Sequence, residues 1–185
     1  MPLRNAGCGM NGQAPAERPA VFQTILVAIG ANLALADGRT PIETCRWAAG
    51  QLARLPGLRL RGVSRWFATR PVPASDQPCF INGTVWLSGT AEPCRLLEQL
   101  QAFEAAAGRT RGVPNAARTL DLDLIAMDGL VLMEPKLILP HPRLQDRAFV
   151  LAPLHDLQPE WRHPVLNFNV STLLAAVSDQ DVKAL

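Results

Sequence analysis

Residues 118–124 read RTLDLDL, and the run continues as IAM to Met127. Strict alternation of this kind fits a β-strand whose successive side chains point to opposite faces, so Leu120, Leu122 and Leu124 take the core face and Asp121 and Asp123 share the other. At the rise of a strand, the two aspartate Cα atoms lie roughly 7 Å apart. A strand is expected over Thr119 to Met127.

Working upstream, Phe22 to Ile29 (FQTILVAI) is a run of β-formers ending at Gly30, expected as a buried first strand followed by a loop. Thr40-Pro41-Ile42-Glu43 combines a capping hydroxyl, a proline at the first helical position and a glutamate three residues after the cap. A helix is expected from there, with Ile42, Cys45, Ala49, Leu52 and Leu55 at helical spacing until Pro56-Gly57. Leu58 to Thr69 reads as a second strand, and Arg70 to Pro78, with three prolines, as a loop. Phe80 to Leu87 reads as a third strand. Pro93 opens a second helix whose Leu96, Leu97, Leu100 and Phe103 form one apolar stripe before Gly108. A polar loop from Arg109 to Arg118 then leads into the acidic strand.

Downstream, Asp128-Gly129 before Leu130-Val131-Leu132 signals a hairpin. A short strand is expected at Leu137 to Leu139, then Pro140-His141-Pro142, then helical or irregular segments. The order strand, helix, strand, strand, helix, strand is that of an α+β, ferredoxin-like (split βαβ) antiparallel sheet with helices packed on it, here with extra C-terminal strands and short helices. The expected organisation is a disordered tail over 1–21, one domain over 22–178 and a C-terminal tail over 179–185.

At 185 residues and 48% hydrophobic, the chain can bury one good core. A net charge of +2 with only 18% charged residues is far from the density of a dedicated nucleic-acid binder. The longest apolar stretch, Ile25 to Ala36, is interrupted and too short to span a bilayer as a helix, and the first 20 residues lack the apolar block of a secretory signal. Cys8, Cys45, Cys79 and Cys94 show no C-x-x-C spacing, and the three histidines lie far apart. A cytoplasmic monomer that handles small molecules, with no nucleic acid and no membrane, is the expectation.

Two carboxylates on one face repel unless cations offset them, and Mg²⁺ is bound by one or two carboxylates plus substrate phosphates. Taken alone, the alternation is also what any half-buried strand shows. Arg109, Arg111 and Arg118 change that balance by setting guanidiniums, which recognise phosphate, beside the acidic pair.

The run ARTLDLDLI at 117–125, Glu104 with GRTR at 108–111, PHP at 140–142 and RAFVLAPL at 147–154 together resemble the 6-hydroxymethyl-7,8-dihydropterin pyrophosphokinase family of folate biosynthesis. GAN at 30–32, Thr69, Pro71, Asp76-Gln77-Pro78 and Phe80-Ile81-Asn82 fall in the same order. The resemblance covers roughly residues 25–160 and implies transfer of the diphosphate of ATP to the hydroxymethyl group of a reduced pterin. It implies two Mg²⁺ ions on Asp121 and Asp123, with Arg109 and Arg118 assisting catalysis. It further implies nucleotide contacts from Gln101, Glu104, Arg109, Arg111, Arg118, Leu124, Lys136, Ile138, His141 and Arg147. The pterin would meet Thr69, Pro71, Val72, Phe80, Asn82 and Phe149, since a flat heteroaromatic ring needs stacking faces and amide-type partners.

Ala31 stands where the family usually has serine, Arg70 where proline is common, Phe80 where tyrosine is frequent, and Lys136 and Ile138 where some members carry arginine and threonine. Loops at 31–39, 70–79 and 109–118 are expected to order when ligands bind. Two other classes were weighed: a metal-dependent nucleotidyltransferase or nuclease, which shares paired carboxylates, and a split-βαβ RNA-binding module, which the acidic pair disfavours.

Overall fold

In the computed structural model, residues 23–109 and 116–185 are described. The expected tail at 1–21, Phe22 and the loop residues 110–115, Arg111 among them, lie outside these. The first strand, β1 (Gln23–Ala31), runs on through Gly30 and Ala31, where a loop was expected. It continues because Gly30 stays in the ladder, opposite Asn82 on one side and Asp121 on the other. A Cβ on Gly30 would lie 3.1 Å from Asn82 Oδ1, so glycine lets the strand pass beside that side chain.

Helix α1 (Pro41–Leu52) starts where its cap signal predicts, with the Glu43 carboxylate accepting from Thr40 N at 2.8 Å and from the Thr40 hydroxyl at 2.7 Å. The helix stops at Leu52, although Leu55 beyond it is still buried. The expected second strand is broken into β2 (Leu58–Val63) and β3 (Phe67–Thr69). At the break Ser64 N donates to Thr84 O at 2.9 Å, but Thr84 N returns to the Ser64 hydroxyl, also at 2.9 Å, rather than to a carbonyl. The side chain thereby closes the ladder and lets Arg65 and Trp66 leave it.

Strand β4 (Phe80–Gly89) is the centre of the sheet, flanked by β1 on one side and by β2 and β3 on the other. Helix α2 (Pro93–Ala106) is capped by Glu92, which accepts from Cys94 N and Arg95 N at 3.0 and 2.7 Å. Strand β5 (Asp121–Met127) pairs antiparallel with β1, two residues shorter at its start than expected. Asp128-Gly129 does turn the chain, with Gly129 at φ +65, but no strand returns along β5. That edge is met instead by the Glu104 carboxylate of α2, which accepts from Leu122 N at 2.8 Å, and by His141 N, which donates to Ile125 O at 2.8 Å. The hairpin lies further on, where β6 (Leu132–Glu134) pairs with β7 (Leu137–Leu139) across Pro135-Lys136.

After a single 3-10 turn at Leu144–Asp146 come α3 (Ala148–Leu157) and α4 (Val170–Ala176). Residues 179–185, expected as a tail, instead carry β8 (Val182–Ala184), which pairs with β3 at the sheet edge. The main sheet runs β5-β1-β4-β3-β8 with β2 beside β4, the ferredoxin-like arrangement.

One core joins Ile25, Val27 and Ile29 of β1 to Cys45, Leu52, Leu96 and Leu100 of α1 and α2, and to Leu122 and Leu124. A second joins Leu26 to Leu144, Val150, Leu151, Leu154, Val170 and Leu173 on the opposite face. Burial on both faces explains why β1 reads as a continuous apolar run rather than an alternating one. It also removes the open sheet face on which a split-βαβ RNA module stacks bases. A bulge in β5 pairs Val27 with Leu124 but Leu26 with Ala126, so Ile125 is the extra residue. Ile125 and Ala126 both join the second core, whereas the aspartates upstream on the same face stay at its polar margin. Among the described residues, no helix is long and apolar enough to cross a membrane.

A Cβ on Gly83 would meet the Trp66 ring at 2.6 Å. Gly83→Ala is therefore expected to lower unfolding free energy by about 1–3 kcal/mol in urea titrations. The loss should shrink in a Trp66→Leu background, and equal losses in both backgrounds would refute the contact.

Candidate active site

A row of residues crosses the sheet at the end where β1 meets the loops: Asp121 on β5, Gly30 on β1, Asn82 on β4. Because Gly30 has no side chain, its place in the row forms part of the floor of a cleft. Thr69, Pro71, Val72, Phe80 and Phe149 wall it, with Asn82 and Asp121 in the floor and Arg118 and Arg147 at the rim. All six residues expected to meet a flat ring thus line one cleft, next to the first of the two aspartates. Arg70 lines it too, and reaches Asp181 at 3.8 Å on the exposed side.

Asn82 is buried, and its Nδ2 donates to the Thr69 hydroxyl at 2.8 Å. That bond holds the amide in place and leaves its other end, with further donor and acceptor capacity, for a ligand edge. Phe149 is the second residue of α3, and the Arg147 guanidinium lies 5.3 Å from the centre of its ring.

Both Asp121 oxygens hold guanidiniums. Oδ1 accepts from Arg109 Nη1 at 2.5 Å, and Oδ2 from Arg118 Nη1 at 2.9 Å. Arg109 Nη1 also pairs with Glu104, the carboxylate that caps the edge of β5 at Leu122 N. Glu104, expected at the nucleotide, is in fact buried, tying α2 to β5 and aiming Arg109. Arg118 is steered a second time, by Nε donating to Ala116 O at 3.0 Å.

Asp123 is less paired, with Arg147 Nη1 3.7 Å from its Oδ2, beyond hydrogen-bond range. Burial holds the Asp123 carboxyl above the usual carboxylate range, and the neighbouring Asp121 charge adds to this, while His141, Arg147 and Arg109 oppose it. His141 is pushed below its ordinary value by burial, with Asp123 pulling the other way. Its Nδ1 accepts from Arg143 N at 3.2 Å, so the neutral ring carries its proton on Nε2. A cation bound beside Asp123 would cancel the repulsion from Asp121. Among the described residues no three His, Cys, Asp or Glu side chains form a closed metal cage. The donor set is an open pair of carboxylates, which fits a hard cation that keeps water and phosphate oxygens in its shell.

Other expected contacts lie apart. Gln101 sits half-buried on α2 and does not line the cleft. The Leu124 side chain is buried in the first core, on the face away from the aspartates. Lys136 and Ile138 are exposed on the β6–β7 hairpin, and Arg111 lies outside the described residues. Ala31 is fully buried in the first core, so the absence of a hydroxyl there leaves the cleft untouched.

Asn32 was quoted in the sequence only as part of GAN, yet it organises the site. It is 3% exposed; its Oδ1 accepts from Arg118 N at 2.8 Å, and its Nδ2 donates to Pro78 O at 3.1 Å and Gln77 Oε1 at 3.3 Å. Its own N–H and that of Leu33 donate to Arg118 O at 3.0 and 3.1 Å. One side chain thus holds the end of β1, the approach to the acidic strand and the loop before Phe80. The signal available in sequence was an asparagine just past a strand glycine with no helix to cap. Asn32→Ala is expected to cost about 1–3 kcal/mol in unfolding free energy and to speed hydrogen exchange at the Arg118 amide. Unchanged exchange there would remove Asn32 from this role.

Residues 26–159 match the family described as 7,8-dihydro-6-hydroxymethylpterin-pyrophosphokinase. The 2-amino-4-hydroxy-6-hydroxymethyldihydropteridine pyrophosphokinase of Pseudomonas aeruginosa is 39% identical over 165 residues, 89% of this chain and 98% of the relative. The protein of the same name from Bacillus subtilis is 36% identical over 131 residues, 71% of this chain and 75% of its own. A crystal structure of wild-type Plasmodium falciparum HPPK-DHPS with pteroate superposes with a TM-score of 0.63 at 13% identity, over 86% of this chain. This chain spans only 43% of that longer chain, and the likeness is one of fold.

Proposed function

The chain belongs to the 7,8-dihydro-6-hydroxymethylpterin-pyrophosphokinase family and is a pyrophosphokinase of folate biosynthesis; from that premise we propose that Asp121 and Asp123 hold Mg²⁺ against ATP, whose diphosphate passes to 6-hydroxymethyl-7,8-dihydropterin. The observation that carries the site assignment is the row Asp121, Gly30, Asn82. It sets an acidic pair and an aromatic-walled cleft on one floor, separated by a residue with no side chain.

The pterin lies in the cleft between Phe80 and Phe149, its polar edge on the Asn82 amide, whose orientation Thr69 fixes. Its hydroxymethyl oxygen then points along the floor towards Asp121. That oxygen attacks the β-phosphorus of ATP, and the bond from this phosphorus to the oxygen bridging it to the α-phosphorus breaks. The electron pair leaves with AMP, and the hydroxyl proton is released. Asp121 and Asp123 would hold the divalent cations, which would supply positive charge to the phosphate oxygens. Arg109 and Arg118, which now hold Asp121, carry guanidiniums suited to phosphate and would be the groups to contact the nucleotide phosphates were Asp121 to take a cation. Arg147 and His141 Nε2–H face the same phosphates from the α3 side. Catalysis here is chiefly positioning and charge.

Cys45, Cys79 and Cys94 are free, which suits a reducing compartment, and a cytoplasmic monomer acting on small molecules is part of the proposal.

Chromatography of a reaction containing ATP, Mg²⁺ and 6-hydroxymethyl-7,8-dihydropterin is expected to give AMP and pterin diphosphate in equal amounts, both requiring metal. Released diphosphate with an adenylylated product would point to a nucleotidyltransferase instead. Asp121→Ala and Asp123→Ala should each lower kcat by about 100-fold or more while the proteins remain folded by circular dichroism. Near-normal rates in both would sink the metal assignment.

A further inference from the structure

We propose that Gln180 is a positioning residue for the reaction: its side-chain amide grips the backbone on both sides of Arg147 and so aims that guanidinium at the cleft. Gln180 Nε2 donates to Asp146 O at 2.9 Å, and its Oε1 accepts from Ala148 N at 3.0 Å. One planar amide therefore spans the two peptide groups that flank Arg147. The inference rests on the reading of Arg147 as a phosphate contact, and it brings into the site a segment expected from sequence to be a tail.

The grip answers a local need. α3 begins at Ala148, so Ala148 N is among the first amides of the helix and has no partner within it. Arg147 precedes it in extended conformation, φ −126 and ψ 102, and its side chain does not cap the helix. Gln180 supplies the cap from a distant part of the chain. The amide is itself anchored, because Gln180 N donates to Val177 O at 3.1 Å and β8 begins two residues on, with Val182 opposite Thr69. The same short segment thus braces the strand that ends in Thr69 and the turn that carries Arg147.

The aim of Arg147 depends on that backbone. Its side chain is largely buried, 16% exposed, and its nearest acidic partner, Asp123, stands 3.7 Å away, too far for a hydrogen bond. The Phe149 face at 5.3 Å constrains the guanidinium laterally but not along its length. With no short side-chain bond to it among the described residues, the position of the guanidinium follows the peptide groups that Gln180 fixes. Displacements of about 1 Å in such a group are enough to cost roughly 100-fold in rate.

The test compares Gln180→Ala, Gln180→Glu, Arg147→Ala and the Gln180→Ala/Arg147→Ala double variant in steady-state kinetics with ATP and the pterin, with thermal unfolding measured in parallel. Gln180→Ala is expected to lower kcat/KM for ATP by about 10-fold, and Arg147→Ala by more. The double variant should be no worse than Arg147→Ala alone, because the clamp acts through that residue. Gln180→Glu keeps the acceptor for Ala148 N but sets a carboxylate oxygen against Asp146 O in place of the donor, so it should lower kcat/KM for ATP at least as far as Gln180→Ala, and it carries the comparison if Gln180→Ala does not fold. A lowered melting temperature with parental kcat/KM in the Gln180 variants, beside an impaired Arg147→Ala, makes the contact merely structural and overturns the proposal. Losses that multiply in the double variant overturn it as well. A parental Arg147→Ala removes Arg147 from the site, and in that case the reading beneath the proposal is what fails.

Discussion

The chain of charges Glu104, Arg109, Asp121, Arg118 is the constraint on which the site depends. Taking a carboxylate such as Glu104 out of water costs several kcal/mol, and burial of this kind is tolerated only where hydrogen bonds satisfy it. Glu104 meets that condition by accepting from Leu122 N and from Arg109, and in doing so it closes the outer edge of β5. β5 is the outermost strand of the main sheet, its edge also met by His141 N donating to Ile125 O at 2.8 Å, and Arg109 is delivered to Asp121. A single buried carboxylate thus ties α2 to β5 and directs Arg109. Such ion networks specify geometry more than they add stability.

Around that chain the sheet is asymmetric along its length. At one end its strands are covered on both faces, by α1 and α2 on one side and by α3 and α4 on the other. At the other end the second face opens, because Gly30 carries no side chain where Asn82 and Asp121 flank it. The bulge at Ile125 marks the change, sending two consecutive residues of β5 into the second core just past the aspartates. The polar cleft and the apolar core thus share one strand face without mixing. Asp123 stands at the boundary, which is why burial as well as its neighbour Asp121 raises its affinity for a proton.

Most of the architecture was legible from periodicity and caps. The alternation at 120–124 placed the leucines and aspartates on the faces they occupy, and Thr40-Pro41 with Glu43 located the start of α1 to the residue. The cleft residues were legible only through several motifs occurring in order, since Thr69, Asn82 and Phe149 are far apart in sequence and have no local pattern that joins them. What escaped reading was set by side chains that bond across long separations. Ser64 breaks the second strand through a hydroxyl, Asn32 ties three loops through one amide, and Gln180 caps a helix that starts 32 residues before it. Propensity and spacing carry no trace of such contacts, because each depends on a partner that only the folded chain brings near. The short strand Val182–Ala184 was missed for the same reason: three residues have no period, and only pairing with Phe67–Thr69 makes them a strand.

The account turns on whether Asp121 exchanges its two guanidiniums for a cation when nucleotide binds. A crystal structure of the protein with Mn²⁺ and the α,β-methylene analogue of ATP, with anomalous data to locate the metal, addresses this directly. The account predicts metal within roughly 2.2 Å of oxygens of both Asp121 and Asp123. It also predicts Arg109 and Arg118 on phosphate oxygens and no longer on Asp121. Metal bound elsewhere, or nucleotide bound with both guanidiniums still on Asp121, would contradict it.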